Sequence, residues 1–423
     1  MTGSFESRTA DWLSVEEALG RIMRQAAPLA AVAVPISESL GLALAEDVVA
    51  EATLPPWDNS AMDGYAVRGE DVIGARSDTP VALPVARVVH AGESPGDPLP
   101  RGQAIRIMTG APLPPDADTV VRVEDTDAEA ESGVVRILDD RDVGHHIRPA
   151  GRDMRRGERL LAEGHTVSPG TVGVLAAAGR STVRVHRRPS VALLTTGNEL
   201  RDPDRFDEVR RGLGVPDSNG PMLEAMITRA GAIPVSLGAA PDDATELAAR
   251  IREGADADVL VTVGGASMGE ADLVKRVLVG LGYRQDFWRV RMRPGSPIGF
   301  GWLPRGDRLQ PVFGLPGNPT SAFVTFEVFV RPYLLTVGGH VEVERRRMRC
   351  RAAERIDAPR GLAHFLRVEF DGRGTDTMIR LTGPQGSGLV SGLARAGGLA
   401  VVDEESDGAN PGDEVTVILI EDR

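Results

Sequence analysis

The chain has 423 residues, about three times the ~150 residues of a typical domain, so its length excludes a single small module. Apolar residues make up 42% and charged residues 26%, which excludes a largely disordered, collagen-like or coiled-coil protein. Acidic residues exceed basic ones by 61 − 48 = 13, which argues against a general nucleic-acid binder.

The sequence also limits the compartment and the cysteine chemistry. No segment approaches the ~20 apolar residues of a membrane span, and the first residues lack the pattern of a secretory leader. We therefore expect a cytoplasmic protein with no membrane partner. The single cysteine, Cys350, excludes an internal disulfide and any four-cysteine metal site.

The N-terminal part predicts one helix followed by short strands. Ser14 and Glu17 form a capping-box pattern at the start of an amphipathic helix that runs to Gln25. Short β-branched segments separated by turn residues then predict a small β unit, and a helical run follows at Gly170–Ala178. We predict a discontinuous domain from residues 1–50 and 142–186, with a small β-rich domain at 51–141 between them.

From Pro189 the pattern changes to apolar strands that alternate with helical segments of ten or more residues. This alternation predicts a parallel sheet with helices on both faces. Ser218 and Asp242 are candidate N-caps of two of the helices. The fold class is thus α/β plus β, with a doubly wound α/β domain at 187–338 and a C-terminal β-barrel-like domain at 339–423.

Three predicted strand ends in the α/β domain carry unusual residues. Glycine-bearing loops follow the strands at Thr195–Leu200, Gly264–Asp272 and Gly314–Ser321. Glycines let backbone N–H groups approach an anion, and Glu199 and Asp272 are candidate ligands of a divalent cation. Together they predict a site for a phosphorylated ligand with a metal. The alternative is a set of ordinary turns with solvated surface acids.

Other motifs leave more than one interpretation open. The alternating arginines Arg289, Arg291 and Arg293 suit an oxyanion, or form a salt-bridged strand face. The segments Trp57–Ala66 and Arg106–Pro112 are rich in turn formers and small polar groups, which indicates loops. The adjacent His145 and His146 are interpreted as ordinary surface residues.

Seven motifs occur in an order that resembles one family. They are Asp58–Val67 (DNSAMDGYAV), Arg106–Pro112 (RIMTGAP), Arg152–Asp153, Leu194–Leu200 (LTTGNEL), Asp217–Asn219 (DSN), Gly264–Asp272 (GGASMGEAD) and Gly314–Pro319 (GLPGNP). The sequence resembles the molybdopterin molybdenumtransferases, which include MoeA and the E domain of gephyrin. The resemblance spans nearly the whole chain and implies an elongated homodimer of four-domain subunits with a central Mog-like, molybdopterin-binding α/β domain.

The resemblance implies that the protein inserts molybdate into adenylylated molybdopterin and releases AMP, assisted by Mg²⁺. It implies catalytic roles for Asp63, Thr109, Asp153, Glu199, Asp217 and Asp272, of which Glu199, Asp217 and Asp272 are also the candidate metal ligands. Asp63 and Thr109 are expected to reach the site from the partner subunit. The implied substrate-binding residues are Gly264, Gly265, Ser267, Lys275, Arg289, Arg293, Ser296, Pro316, Asn318, Pro319, Ser321, Arg367 and Ser387.

One position departs from the family pattern. The family commonly has lysine in a P-G-K-P turn, where this chain has Ser296. Loss of that cation should weaken the binding of an oxyanion unless Arg291 compensates. Arg367 and Ser387 match family positions near molybdate.

Two other functions fit the sequence less well. A molybdopterin adenylyltransferase shares the α/β domain, but the N-terminal β region with DNSAMDGYAV favours insertion. A weakened paralogue that acts as a scaffold or carrier would have no evident use for the six polar site positions. Expected partners are a second copy of the chain, a molybdopterin adenylyltransferase, and molybdoenzymes or their chaperones.

Overall fold

The computed structural model describes residues 11–264, 273–372 and 377–420. Two compact units are present. One contains the described residues up to Glu46, Gly164–Ser168 and those from Thr182 onward, and the other contains Asp47–Glu163 and Pro169–Ser181. We call them the large unit and the small unit. The four-domain division predicted from the sequence stays a prediction.

The helices of the described residues are short, and most lie in the large unit. They are α1 Val15–Met23, α2 Pro169–Ala177, α3 Phe206–Arg210, α4 Asn219–Arg229, α5 Ala244–Glu253, α6 Leu273–Gly280, α7 Pro319–Thr325 and α8 Arg331–Val337. A π-helical segment, Phe326–Val330, joins α7 to α8. Within the described ranges, no helix is both long and apolar enough to cross a lipid bilayer.

The strands occupy most of the remaining regular structure. They are β1 Ala31–Pro35, β2 Val48–Val49, β3 Asn59–Ser60, β4 Gly64–Val67, β5 Val81–Val89, β6 Ala104–Ile107, β7 Thr119–Arg122, β8 Val134–Ile137, β9 Ile147–Arg148, β10 Arg159–Leu161, β11 Thr182–His186, β12 Ser190–Thr196, β13 Leu200–Arg201, β14 Val215–Pro216, β15 Ile233–Ala240, β16 Val259–Val263, β17 Arg284–Phe287, β18 Met292–Arg293, β19 Gly299–Arg305, β20 Arg308–Leu315, β21 Arg347–Ala352, β22 Ile356–Asp357, β23 Ala363–Asp371, β24 Met378–Leu381, β25 Gly398–Val402, β26 Gly408–Ala409 and β27 Glu414–Leu419.

The large unit is built around a six-stranded sheet in the order β15-β12-β16-β20-β19-β17. The first four strands are parallel, as the alternating pattern predicts, and β19 and β17 add an antiparallel edge. Alternate residues of β12 enter different cores: Val191 and Leu193 pack in one, and Ala192 and Leu194 pack in the other. The sheet is therefore buried on both faces, which confirms the doubly wound prediction.

A second six-stranded sheet of the large unit runs β18-β23-β24-β21-β27-β25, and an additional pairing of β23 with β25 closes part of it into a barrel-like structure. The small unit contains a five-stranded sheet in the order β7-β4-β6-β5-β8. These sheets confirm the β-rich parts of the predicted fold class.

One of the two predicted helix caps is wrong by one residue. Ser218 is the N-cap residue of α4 as predicted, but its side chain makes no capping hydrogen bond, and Asp217 Oδ1 instead accepts from the backbone N–H groups of Asn219 and Gly220. The cap of α5 is Asp243, which accepts from Thr245 and Glu246. Because Asp243 caps α5, the side chain of Asp242 is available for hydrogen bonds to Thr196 and Asn198. The capping box of α1 is formed as predicted by Ser14 and Glu17.

Candidate functional site

A cleft of about 980 Å³ lies at the carboxyl ends of the parallel strands in the large unit. Ligands of doubly wound sheets bind at this position because the loops after neighbouring strands meet there. The lining residues of the cleft come from all three predicted strand-end loops and from α4. Among them are Thr195, Glu199, Asp217, Asn219, Asp242, Gly264, Arg276, Pro316, Gly317, Asn318, Pro319 and Gly388.

Asp217 holds the end of β12 against the start of α4. Its Oδ2 accepts a hydrogen bond from the Thr195 hydroxyl at 2.7 Å, and its Oδ1 accepts from two backbone N–H groups at 3.0 and 3.1 Å. The residue is only 6% exposed. Its carboxylate is therefore part of the local framework of the site, in addition to being a candidate metal ligand.

Asp242 is a cleft residue that the sequence interpretation assigned only to a helix cap. Its Oδ1 accepts from the Thr196 hydroxyl at 3.2 Å, and its Oδ2 accepts from the Asn198 N–H at 3.3 Å. Asn198 Oδ1 accepts in return from the Asp242 N–H at 3.0 Å. These contacts fix the loop that carries Glu199. The sequence signal that identifies Asp242 is its position just after the carboxyl end of β15. Glu199 was predicted from the equivalent position after β12.

The described cleft wall carries more negative than positive charge. Glu199, Asp217 and Asp242 are acidic, and Arg276 is the one basic residue in the lining of the described part. Among the residues that the structure describes, no group of three or more His, Cys, Asp or Glu side chains is arranged to hold a metal ion. Mg²⁺ usually binds one or two carboxylates together with substrate phosphates and water, so this donor set fits Mg²⁺ held jointly with a phosphorylated ligand.

Gly264 and Gly317 allow two strand-end loops to lie close together. Gly264 has φ +100°, and a Cβ atom there would lie 2.5 Å from the Thr196 carbonyl oxygen. A Cβ on Gly317 would lie 3.4 Å from the Cα of Gly264. Pro316, Asn318 and Pro319 belong to the same loop as Gly317 and line the cleft, whereas Ser321 is buried in α7 outside the described lining.

The loop at residues 383–390 contributes Gly388 and Val390 to the cleft wall. Ser387 binds the neighbouring loop: its hydroxyl accepts from Asn318 Nδ2 at 2.9 Å, and its carbonyl accepts from the Thr320 N–H at 3.0 Å. The predicted residue Ser387 therefore lies at the edge of the cleft.

Arg367 is fully buried beneath this loop. Its Nη1 donates to the Thr320 hydroxyl and the Leu389 carbonyl, and its Nη2 donates to the carbonyls of Pro384 and Gly386. Nε contacts Gln385 Oε1 at 3.4 Å. Burial lowers the pKa of the guanidinium from its usual range. Arg367 thus holds the 383–390 loop in place, and its N–H groups donate to protein oxygens.

The other predicted cations lie outside the described lining of the cleft. Lys275 Nζ lies 4.8 Å from the ring centroid of Trp288, and both residues line a small cavity that shares Gly264 with the cleft. Arg289 stacks over the ring of Trp12 at 5.2 Å, and Arg293 is exposed.

Ser296 and Arg291 have separate partners. The Ser296 hydroxyl donates to the Met292 carbonyl at 2.5 Å. Arg291 Nε donates to Glu404 Oε2 at 2.8 Å, and its Nη1 donates to the Trp12 carbonyl. Of the two interpretations of the arginine run, the salt-bridged face describes Arg291.

In the small unit the structure brings Asp63 and Thr109 together. The backbone N–H and the hydroxyl of Thr109 both donate to Asp63 Oδ1 at 2.7 Å, and these bonds lower the pKa of the carboxyl. Both residues are exposed. Asp153 lies in another exposed loop, where its N–H donates to the Leu54 carbonyl. Gly265, Ser267 and Asp272 lie outside the described residues.

A doubly wound sheet with a carboxylate-lined cleft at its strand ends is the arrangement in which α/β proteins bind small ligands. Three family models match the chain: the MoeA N-terminal region (domain I and II) at residues 13–179, a probable molybdopterin binding domain at 192–336, and the MoeA C-terminal region (domain IV) at 349–420.

The chain is 38% identical over 396 residues to molybdopterin molybdenumtransferase 2 of Mycobacterium tuberculosis, which covers 92% of this chain and 94% of the relative. It is 36% identical to molybdopterin molybdenumtransferase of Synechococcus elongatus over 370 residues, 86% of this chain and 89% of the relative. A crystal structure of the MoeA protein of Pyrococcus horikoshii matches with a TM-score of 0.83 at 26% identity, covering 97% of this chain and 100% of that one. The chain belongs to the molybdopterin molybdenumtransferase (MoeA) family.

Proposed function

We propose that this protein completes the molybdenum cofactor by inserting molybdenum from molybdate into adenylylated molybdopterin with release of AMP. Membership of the family supports the reaction, and the cleft at the strand ends is the observation that carries it on this chain. Apart from Gly388 and Val390, the described lining residues of the cleft lie within the residues matched by the molybdopterin-binding model, and the volume of the cleft suits a small organic ligand.

We further propose that the reaction requires Mg²⁺. A phosphorylated ligand would meet the carboxylates of Glu199, Asp217 and Asp242 in the described wall, and like charges at close range repel. A divalent cation between phosphate and carboxylate removes this repulsion and polarises the phosphoryl oxygens. Glu199, Asp217 and Asp242 are the described residues that would hold it, and Asp217 also orients the start of α4.

The remaining expectations from the sequence belong to the same proposal. Asp63 and Thr109 act in the reaction from a partner subunit of a homodimer, and Asp153 contributes from its own loop. A molybdopterin adenylyltransferase supplies the substrate, and molybdoenzymes or their chaperones receive the product. The reaction takes place in the cytoplasm.

The test is a direct assay. Purified protein is incubated with adenylylated molybdopterin, molybdate and Mg²⁺, and both AMP release and transfer of active cofactor to an apo-molybdoenzyme are measured. Molybdate-dependent release that is lost on removing Mg²⁺ with a chelator supports the proposal. Formation of adenylylated molybdopterin from ATP and molybdopterin, without AMP release from it, would overturn the proposal in favour of an adenylyltransferase.

A further inference from the structure

Asn219 presents an unusual atom at the wall of the cleft. The residue is 7% exposed and stands at the start of α4. Its Oδ1 is one of seven buried side-chain polar atoms in the described part of the chain that have no hydrogen-bond partner. Of the residues that carry these atoms, Asn219 is the one that lines the cleft. A buried acceptor without a donor is unfavourable, so such an atom requires an explanation.

The orientation of the Asn219 amide follows from its neighbour. Its Nδ2 lies 2.7 Å from the carbonyl oxygen of Gly317, which can only accept a hydrogen bond. A flipped amide would place two oxygens in contact. The side chain is therefore held with its NH₂ group on Gly317 and its oxygen without a partner, and a ligand that brings an N–H group would satisfy that oxygen.

The surroundings of Asn219 favour a ligand that donates hydrogen bonds. The hydroxyl of Thr195 donates to Asp217, and the hydroxyl of Thr196 donates to Asp242. Asn318 Nδ2 donates to Ser387. Four lining residues are prolines, which have no N–H group: Pro216, Pro297, Pro316 and Pro319. Among the side chains named here, the donors are thus already used within the protein, whereas the acceptor oxygen of Asn219 is not.

We propose that Asn219 Oδ1 accepts a hydrogen bond from the pyrimidinone edge of the pterin ring, and so makes Asn219 a specificity-determining residue for the pterin end of the substrate. This inference rests on the proposed function. The pyrimidinone edge carries a ring N–H beside an exocyclic amine, so it presents two adjacent donors. The adenine edge alternates one donor with one acceptor, which fits this wall less well.

The experiment measures binding of neopterin, a fluorescent pterin with the same edge, and of AMP to the full-length protein. Asn219→Leu removes the acceptor together with the donor to Gly317. Thr228→Ala, an exposed position of the same helix, is the matched control. Thermal melting of each variant reports its folding.

We expect Asn219→Leu to weaken neopterin binding by about tenfold, the effect of losing one hydrogen bond, with AMP affinity unchanged. Thr228→Ala should equal the wild type. Equal losses for both ligands in Asn219→Leu would overturn the proposal, because the residue would then only hold the two loops together.

The outcome also separates this inference from the proposed function. If the wild type releases AMP from adenylylated molybdopterin but neopterin binding ignores Asn219, this inference fails and the function stands. If the wild type neither binds neopterin nor releases AMP, both fail.

Discussion

Two carboxylates on the same cleft wall are held in different ways. Asp217 is buried and accepts three hydrogen bonds from the end of β12 and the start of α4. Glu199 is exposed, and its loop is fixed by Asp242 rather than by its own side chain. Substitutions at these two positions should therefore affect stability and turnover in different proportions.

We expect Glu199→Gln to reduce Mg²⁺-dependent AMP release at least tenfold with no change in the melting temperature, because it removes only a charge. Asp217→Asn should reduce both AMP release and stability, since two backbone N–H groups and the Thr195 hydroxyl lose a charged acceptor, and a hydrogen bond to a charged group contributes about 1.5–3 kcal/mol. Chemical denaturation and the AMP assay on both variants check this. A stable Asp217→Asn protein with wild-type turnover would contradict the role given to Asp217.

The contact between Thr109 and Asp63 predicts a change in the pH profile. Both hydrogen bonds favour the ionised carboxylate, which is why the pKa of Asp63 lies below its usual value. Removing the hydroxyl in Thr109→Val should raise that pKa. If the ionised form of Asp63 is the active one, the acid limb of the activity profile should move to higher pH.

The control is Thr109→Ser, which keeps the hydroxyl and should keep the wild-type limb. The sign for stability is the same: a lowered pKa stabilises the fold above the usual pKa of Asp, and this contribution is lost as the pH falls through the lowered value. An unchanged acid limb in the valine variant would show that Asp63 does not control it.

At the level of elements, Arg367 connects β23, α7 and the 383–390 loop. Its N–H groups satisfy carbonyls of that loop, so replacing it leaves several buried acceptors without donors. Arg367→Ala should cost about 3 kcal/mol or more in unfolding free energy and speed hydrogen exchange in the loop. Arg380→Ala, which removes an exposed ion pair with Asp371, should change stability by less than about 1 kcal/mol. Comparable losses of unfolding free energy in the two variants would contradict the role of Arg367 in holding the 383–390 loop.

The turn at Arg289–Pro297 tests where molybdate binds. Because Arg291 is paired with Glu404, we expect it not to replace the missing lysine at Ser296. Ser296→Lys should strengthen molybdate binding about tenfold, Arg291→Ala should leave it unchanged, and the double variant should show the sum of the two effects. Molybdate titrations in the AMP assay measure all four proteins. An unchanged molybdate affinity in Ser296→Lys would show that molybdate does not bind at this turn.

The elements of the large unit were predictable because their signals are local and repeated. The parallel strands β12, β15, β16 and β20 are apolar runs separated by helical patterns, and periodicity identifies such runs. The antiparallel edge strands β17 and β19 were missed, since Arg284–Phe287 carries three polar residues and Gly299–Arg305 is broken by two glycines and a proline.

The site was predictable in part for a similar reason. Glycine and acidic residues just after a strand identify a strand-end loop, so Glu199 and the Gly314–Pro319 loop were found from the residues, whereas Asp217 was named only through the family motif. The hydrogen-bond partners of the site side chains were not predictable, because these partners are distant in sequence. Arg367 contacts Thr320, and Asn219 contacts Gly317, 98 residues away. Asp242 was misassigned because Asp243, the actual cap, stands next to it.

At the scale of the whole molecule, the proposed reaction predicts a homodimer. Asp63 and Thr109 belong to the small unit, and the cleft belongs to the large unit. If these residues serve the cleft of a second copy, isologous association forms two equivalent sites per dimer. Sedimentation should then show a species of twice the 44.9 kDa chain mass. A fully active monomer would contradict this.

Subunit mixing tests the shared site directly. Asp63→Asn and Glu199→Gln chains should each form inactive homodimers. In a mixed dimer, the Glu199 of one chain would meet the Asp63 of the other, so one of its two sites would be intact and the other would carry both substitutions. Random mixing makes half of the dimers mixed, so about a quarter of wild-type AMP release should return. Co-expression with two affinity tags isolates the mixed species, which should show about half. If both residues served the same chain's cleft, every site would carry one substitution, and mixing would restore nothing.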